Sequence, residues 1–379
     1  MAVIREVEAI VLEIPFVREF KISRGLVGAP GKPARHVYVR VVASDGEVGW
    51  GEARPMPSWM YETVESVRYS VERYLGPAIK GLSPYQVNEA RERMDRALSP
   101  VVSSGAPFAK SAIDVALYDL LGKYAGLPLH ALIGGKLVDR VEMAALISGA
   151  TPDDVAQLAR EMRGRGYRCF KLKIMGDPVA DAQMVAALKE AVGDGALLWL
   201  DANQAYSSWR VAELLRRVEG VEGLICLEQP VPTYDFHGLS RVVARASVPV
   251  AVDESLFSHY DLMKLVSMGA LDMVVLKVAK SGISGSLKIY HLVEAAGLGC
   301  LGSGMTESGV GFAASMHLYS TLRLAAPVDT NGPQFLSDMV VRGLEIEGPY
   351  AKVPDGPGLG VEVDERRLER YKVDKGEGD

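Results

Sequence analysis

Cysteine is scarce in this 379-residue chain, with Cys169, Cys226 and Cys300 the whole complement. An odd, sparse set with no Cys-x-x-Cys pair argues against a disulfide framework or a thiol metal site, and it fits a reducing cytosol. Amides are rarer than usual, three Asn and six Gln, a trend seen in thermophile proteins. No uncharged apolar stretch of about 18 residues occurs, so no membrane-spanning helix is expected. The opening "MAVIREVEAIVLEIP" carries Arg5, Glu6 and Glu8, which spoils it as a signal peptide. There is no basic run, and the net charge is −6; nucleic acid and membrane surfaces are poor partners for such a chain. What is present is 48% hydrophobic and 24% charged residues. That composition can build a large core, and the length suits a large barrel with an accessory domain.

The first part reads as α+β. "YVRVVASDGEVGWGEA" is a hairpin turning at Asp45-Gly46. Helical patterns follow at about Glu62–Leu75, Gln86–Leu98 and Pro107–Tyr124. Two stretches read as loops. Arg18 to Arg35 is basic and rich in Gly and Pro, and "ARPMPSWMYE" is expected to expose Trp59, Met60 and Tyr61. They are either plain surface loops or covers for a binding site.

From about Val141 apolar strand-like runs alternate with amphipathic helices. "VEMAALI" precedes a helix opening at Thr151-Pro152, and "CFKLKI" one opening at Asp177-Pro178; each is an N-cap followed by proline at the first helical position. "LLWLD", "LICLE", "VPVAVD", "LDMVVLK", "GCLGSG" and a short "AAPVD" ending at Asp329 complete eight strand candidates. Eight β-α units predict a closed (β/α)8 barrel. The open doubly wound sheet is the alternative, but it would show a glycine-rich phosphate fingerprint after its first strand, and none is found here.

Lys173, Asp201, Glu228, Asp253 and Lys277 close successive strands at spacings of 28, 27, 25 and 24. Each spacing is the length of one β-α unit, so the five share the C-terminal rim, the active-site face of this fold. A single acid at a strand end is usually a helix cap or loop anchor. Three converging on one rim repel unless a cation lies between them, and oxygen-only donors favour Mg²⁺, with Mn²⁺ as the alternative. No His stands among them, which argues against Zn²⁺. Lys171 and Lys173 alternate onto one strand face. Such a pair is ordinarily a solvated surface feature. Opposite Lys277 it reads as acid/base machinery, with Lys171 expected to lower the basicity of Lys173 by repulsion.

The stretches "FKLKI", "LDANQAY", "CLEQP", "AVDES" and "VVLKVAKSGI", with "AIDVALYDLLGKYAGLPLHALIGG" before them and "VPDGPGLGVEVD" after, resemble the enolase superfamily. Within it they are similar to the muconate-lactonizing-enzyme subgroup of the mandelate racemase / muconate lactonizing enzyme family, along almost the whole chain. The resemblance implies an α+β capping domain at 1–128, a barrel at 129–340, and a segment at 341–379 returning to the cap. It implies that Asp201, Glu228 and Asp253 bind Mg²⁺, that Lys173 and Lys277 are an acid/base pair tuned by Lys171, and that Asn203 supports the substrate carboxylate or the metal. It also implies a homo-oligomer, with the loops at 18–35 and 53–62 closing over the barrel mouth. The branches that use a His after the seventh strand do not match, because "LGSGMTESG" has none; Glu307 stands there as a substrate contact or as a helix N-terminal carboxylate. His291 and His317 fall in predicted helices and read as structural. An Asp-x-Asp used by dipeptide epimerases appears here as Asp329-Thr330-Asn331.

The leading expectation is abstraction of the α-proton of a small-molecule carboxylate, ending in cycloisomerisation, racemisation or epimerisation, or β-elimination. Arg24, with Arg18, Lys21 and Arg35, favours a second anionic group on the substrate; Trp59 and Tyr61 would line an apolar wall. A Mg²⁺-dependent barrel hydrolase would share the acids without needing lysines on both sides. A non-catalytic barrel would need neither.

Overall fold

The structure, a computed structural model, describes residues 2–101 and 104–373. The N-terminal part is an antiparallel sheet of β1 (Ile4–Ile14), β4 (Ala34–Ala43) and β5 (Val48–Ala53), with a small separate hairpin of β2 (Phe20–Ile22) and β3 (Gly25–Gly28) between them. The expected hairpin at Asp45-Gly46 is the β4–β5 turn, with Gly46 at φ 95°. The 18–35 stretch is not the irregular loop its glycines and prolines suggest. Phe20 and Ile22 alternate inward and are buried, and that alternation is what makes a strand of it.

Helices α1 (Val64–Ser70), α2 (Gly76–Ile79), α3 (Val87–Ala97) and α4 (Pro107–Ala125) follow, with a π-helical turn at Val71–Leu75 joining the first two. Thr63 and Ser66 form a reciprocal capping box at the start of α1. Helix α4 lies directly on β5: a Cβ on Gly51 would come within 1.8 Å of the Ala112 carbonyl oxygen, so only glycine lets the two backbones approach this closely.

After α5 (Leu129–Leu132) come β6 (Arg140–Glu142), β7 (Ala145–Ile147), α6 (Pro152–Gly164), β8 (Cys169–Lys173), α7 (Pro178–Val192), β9 (Leu197–Asp201), α8 (Ser208–Arg217), β10 (Leu224–Glu228), α9 (Phe236–Val243), β11 (Val250–Val252), α10 (His259–Ser267), β12 (Met273–Leu276), α11 (Val278–Ala295), β13 (Gly299–Gly302) and α12 (Gly309–Ser320). Thr151 and Asp177 cap α6 and α7 as their sequences predict. Strands β7 to β13 form one parallel sheet in sequence order, seven strands rather than eight. The expected first strand is divided. Arg140–Glu142 pairs antiparallel with a C-terminal strand, and the barrel strand begins at Ala145. The expected eighth strand is reduced to Val328 and Asp329, which bridge in parallel to Met143 on one side and Ser303 on the other. With these two residues the sheet curls into a TIM-barrel-type fold.

The chain ends with α13 (Gly332–Phe335), β14 (Val341–Arg342), β15 (Ile346–Glu347), β16 (Tyr350–Lys352), β17 (Glu362–Val363) and α14 (Glu365–Tyr371). Lys372 then bridges to Leu12, and the Val373 N–H donates to the Val11 carbonyl, so this segment meets the N-terminal sheet. Residues 374–379 of the expected C-terminal segment lie outside the described residues. Among the described residues no helix is long and apolar enough to cross a membrane. The three cysteines are buried and unpaired.

Candidate active site

The parallel register aligns Lys173 with Asp201 and Asp201 with Glu228. Asp253 and Lys277 each follow the last residue of β11 and β12. The five side chains picked out by their spacing therefore share one rim. Beneath them Trp199, Cys226, Ala251, Val275 and Leu301 form an apolar plug inside the barrel, which denies water to the floor of the site. Lys171 rises through this plug with its Nζ 4.3 Å from the Trp199 ring centroid. It reaches Asp201, Glu228 and Asp329 at 3.1, 2.9 and 3.0 Å. Lys173 pairs with Asp201 at 2.5 Å and Lys277 with Asp253 at 2.7 Å.

Lys171 is thus not a bare ammonium beside Lys173 but is compensated by three carboxylates. Burial works against its charge, but Glu228, Asp329 and Asp201 outweigh burial and hold its pKa well above the usual lysine range. Lys277 is also raised, Asp253 outweighing burial. Among the acids, burial would raise Asp201 and Asp253, yet the ammoniums beside them keep both well below the usual range. Glu228 is pushed up by burial and by Asp201. Charge is thus shared unevenly across the row, as expected where several carboxylates crowd together at low dielectric.

Two aromatic side chains from the N-terminal part cover the lysines. The Phe20 ring centroid lies 5.9 Å from Lys173 Nζ and that of Trp59 lies 4.5 Å from Lys277 Nζ. Trp59 and Met60 are buried, not exposed as the flanking prolines suggest; only Tyr61 faces solvent, at 59%. Arg24 is also exposed and donates to Gln204 at 2.9 Å. Asn203, Asp329 and the two lysines line a cavity of about 30 Å³ together with Phe20 and Trp59. Larger hollows of about 450 and 470 Å³ lie elsewhere, between α3, α4, α10 and α11 and between α8 and α9. Neither is lined by Lys173, Asp201, Glu228, Asp253 or Lys277, whereas the small one is lined by both Lys173 and Lys277.

Glu228, Asp253 and Glu254 each present an oxygen within 4.8 Å of the others. The donors are all carboxylates, and two buried oxygens beside them, Glu254 Oε2 and Asn203 Oδ1, have no hydrogen-bond partner. Oxygens alone, with two left unsatisfied, suit a hard divalent cation. Asp201 is turned to the lysines and to the Asn203 N–H.

A family model described as "Enolase C-terminal domain-like" matches residues 154–367, and "Mandelate racemase / muconate lactonizing enzyme, N-terminal domain" matches residues 7–134. The chain belongs to the mandelate racemase / muconate lactonizing enzyme family of the enolase superfamily. It is 34% identical to muconate cycloisomerase 1 of Pseudomonas putida over 97% of this chain and 98% of that protein. It is 28% identical to the N-succinyl-L-Arg/Lys racemase of Bacillus cereus over 96% of each. The solved muconate lactonizing enzyme of Pseudomonas fluorescens superposes with a TM-score of 0.91 at 28% identity, covering 98% of this chain and 99% of that one. As a member of a superfamily of isomerases, racemases and epimerases, the chain is an enzyme.

Several residues that build this family member's site escaped the strand-end spacing. Glu254 accepts from Asn203 and Gln204 at 3.1 and 3.3 Å, and burial together with Asp253 pushes it up to about 7. Lys280 donates to Asp253 Oδ1 at 2.7 Å and to the carbonyls of Asp253 and Val275. Both were visible as charges inside "AVDES" and "VVLKVAKSGI", but they lie past the strand ends, where alternation no longer assigns a face. Glu307 does not serve as the carboxylate at the start of α12. That place is taken by Glu52 of β5, which accepts from the Ser308 and Gly311 N–H groups at 2.7 and 2.8 Å. Glu307 instead accepts from the Met305 N–H at 2.7 Å, and burial pushes it up to about 7. His317 is buried, taking the His130 N–H on Nδ1, with Nε2 on the Leu359 carbonyl.

Proposed function

We propose that this enzyme moves the proton on the carbon next to a substrate carboxylate, with Lys173 and Lys277 as the acid/base pair. The observation that carries this reading is that both ammoniums line one cavity from β8 and β12, with the acid-bearing ends of β9, β10 and β11 between them. Asp201, Glu228 and Asp253 would hold a divalent cation, Mg²⁺ or Mn²⁺, with Glu254 and Asn203 completing its surroundings. When bound, the cation supplies positive charge beside the substrate carboxylate and so lowers the cost of the second negative charge as the α-proton leaves. Asp201, Glu228, Asp253, Glu254 and Asp329 carry one formal negative charge more than Lys171, Lys173, Lys277 and Lys280; a dication together with a carboxylate leaves the set neutral.

Once their carboxylate partners are engaged elsewhere, Lys173 and Lys277 release a proton more readily. One then takes the proton from one side of the carbon, and the other can return it from the opposite side. The net reaction in this reading is cycloisomerisation, racemisation or epimerisation, with β-elimination as the alternative outcome of the same first step. Asp329 supports an acid over a dipeptide as substrate. Lys171, Ser303 and Asn331 already draw on its oxygens, and the amide Asn331 stands where a second acid would.

The test is α-proton exchange in D₂O, followed by NMR, against muconates, N-acyl amino acids, dipeptides, hydroxyprolines and acid sugars with and without Mg²⁺. Lys173→Ala and Lys277→Ala should each abolish exchange from one face while the other face stays active. Full exchange on both faces in both variants would sink the two-base reading.

A further inference from the structure

Lys173 and Lys277 are joined to the helices that follow them in different ways. Lys277 stands directly between the end of β12 and the start of α11, so the helix itself fixes its backbone. Lys173 ends β8, and a loop of four residues, Ile174 to Asp177, separates it from α7. Such a loop needs partners for its N–H groups. Ile174 donates to the Asp201 carbonyl at 2.9 Å. Met175 and Gly176 both donate to the carboxylate of Asp181, at 2.9 and 2.8 Å.

Asp181 lies in the first turn of α7 but is not its cap. Asp177 has that place, accepting from the Val179 and Ala180 N–H groups at 2.9 and 3.2 Å. Asp181 is 2% exposed, and its third partner is the Tyr206 hydroxyl. Among the described residues no lysine or arginine pairs with it. A buried carboxylate without a counter-charge is costly to keep, and its hydrogen bonds are roughly twice as strong as those between neutral groups. Tyr206 is also buried and belongs to the loop after β9, which carries Asn203. Its own N–H donates to the Pro230 carbonyl at 2.9 Å. The two loops are pressed together at Gly176, where φ is 95° and a Cβ would come within 2.7 Å of the Ala205 carbonyl oxygen, a place only glycine fits. Asp181 therefore ties the loop leaving Lys173 to the loop leaving Asp201, the acid that holds the Lys173 ammonium at 2.5 Å. Lys277 has no such loop to hold.

We propose that Asp181, with Tyr206, is a positioning residue for Lys173 alone. It sets where that ammonium stands against Asp201 and the substrate carbon, and it leaves Lys277 untouched. This role rests on the proton-abstraction reading, and it divides the two faces of the reaction between a loop-held and a helix-held base.

The experiment compares Asp181→Asn and Tyr206→Phe with the wild type in the Mg²⁺-loaded full chain. The first readout needs no substrate: amide hydrogen exchange at Met175 and Gly176, read by NMR. Both amides should exchange about 10-fold faster in Asp181→Asn, the scale of one weakened hydrogen bond. The second is α-proton exchange in D₂O with the panel above, the faces told apart by Lys173→Ala and Lys277→Ala. In Asp181→Asn the Lys173 face should slow by about 10–100-fold, as expected when a reacting group is misplaced by about 1 Å, and the Lys277 face should keep its rate. Tyr206→Phe should show a smaller loss on the same face, and it decides if Asp181→Asn does not fold. A purely structural role would slow both faces alike. Both faces slowed alike, neither slowed, or unchanged amides would sink Asp181's role alone. No exchange by the wild type on either face would sink the proton-abstraction reading and this role with it.

Discussion

Asp253 stands between two ammoniums that are held very differently. Lys280 spends all three of its hydrogens, on the Asp253 carboxylate and on two backbone carbonyls. Lys277 has Asp253, a methionine sulfur at 3.6 Å and the face of Trp59. Lys280 is thus fixed in place, whereas Lys277 is held by one carboxylate and two soft contacts. Burial lowers the pKa of Lys280 against the pull of Asp253, and its carbonyl partners accept only while a hydrogen is there to give. Lys280→Met should release Asp253 from its orientation and weaken Mg²⁺ binding by about 10–100-fold, the usual effect of losing a group that orients a metal ligand. Calorimetric Mg²⁺ titration checks this, and wild-type affinity in the variant would refute it.

At the scale of elements, the contact between the N-terminal sheet and the barrel is polar where it matters. Glu52 is buried on β5 yet caps α12 of the barrel, and its Oε1 also takes the Ser308 hydroxyl and His36 Nδ1. Tyr38 adds its hydroxyl to the same Ser308. The helix N-terminus favours a carboxylate there, and His36 with the two N–H groups offsets the cost of burying it. Glu52→Ala strands several buried donors at once, so unfolding in urea should show a loss of about 3 kcal/mol. A loss below about 1 kcal/mol would mean that water satisfies those donors.

The charged row was legible in the sequence because each β-α unit spends a nearly constant number of residues, which turns spacing into position. The N-caps at Thr151 and Asp177 were legible because capping is local. Trp59 was misread because prolines and a serine around it look like a surface loop, and only the tertiary fold shows that Phe108 and Phe257 receive its ring. Glu254 and Lys280 lay beyond reach for a related reason. They act just past the end of a strand, where the period of two stops and no local pattern says which way a side chain turns.

For the whole molecule, His317 ties three regions together, receiving the His130 N–H and facing the carbonyl of Leu359. Burial pushes its pKa down to about 4. The folded state therefore binds fewer protons than the unfolded state between about 4 and the ordinary 6.5. Its contribution to stability is present above pH 6.5 and is lost as pH falls toward 4, by up to roughly 3 kcal/mol. Glu62 and Glu307, both pushed up to about 7 by burial, slope the other way over an overlapping range. The comparison with His317→Asn isolates the histidine. Urea unfolding from pH 4.5 to 7 should show a flatter rise in the variant, and identical slopes would refute the assignment.

The eighth position of the barrel is filled by two residues, Val328 and Asp329, each bridged once to a neighbour, where other adjacent strands share runs of up to five paired residues. A cask with one narrow stave opens along that stave. Here the stave carries Asp329, one of the three acids that hold Lys171 upright beneath the reacting groups. A breach in the wall of this barrel at that stave would therefore also loosen the footing of Lys171, so the scaffold and the charged row are joined at the same two residues.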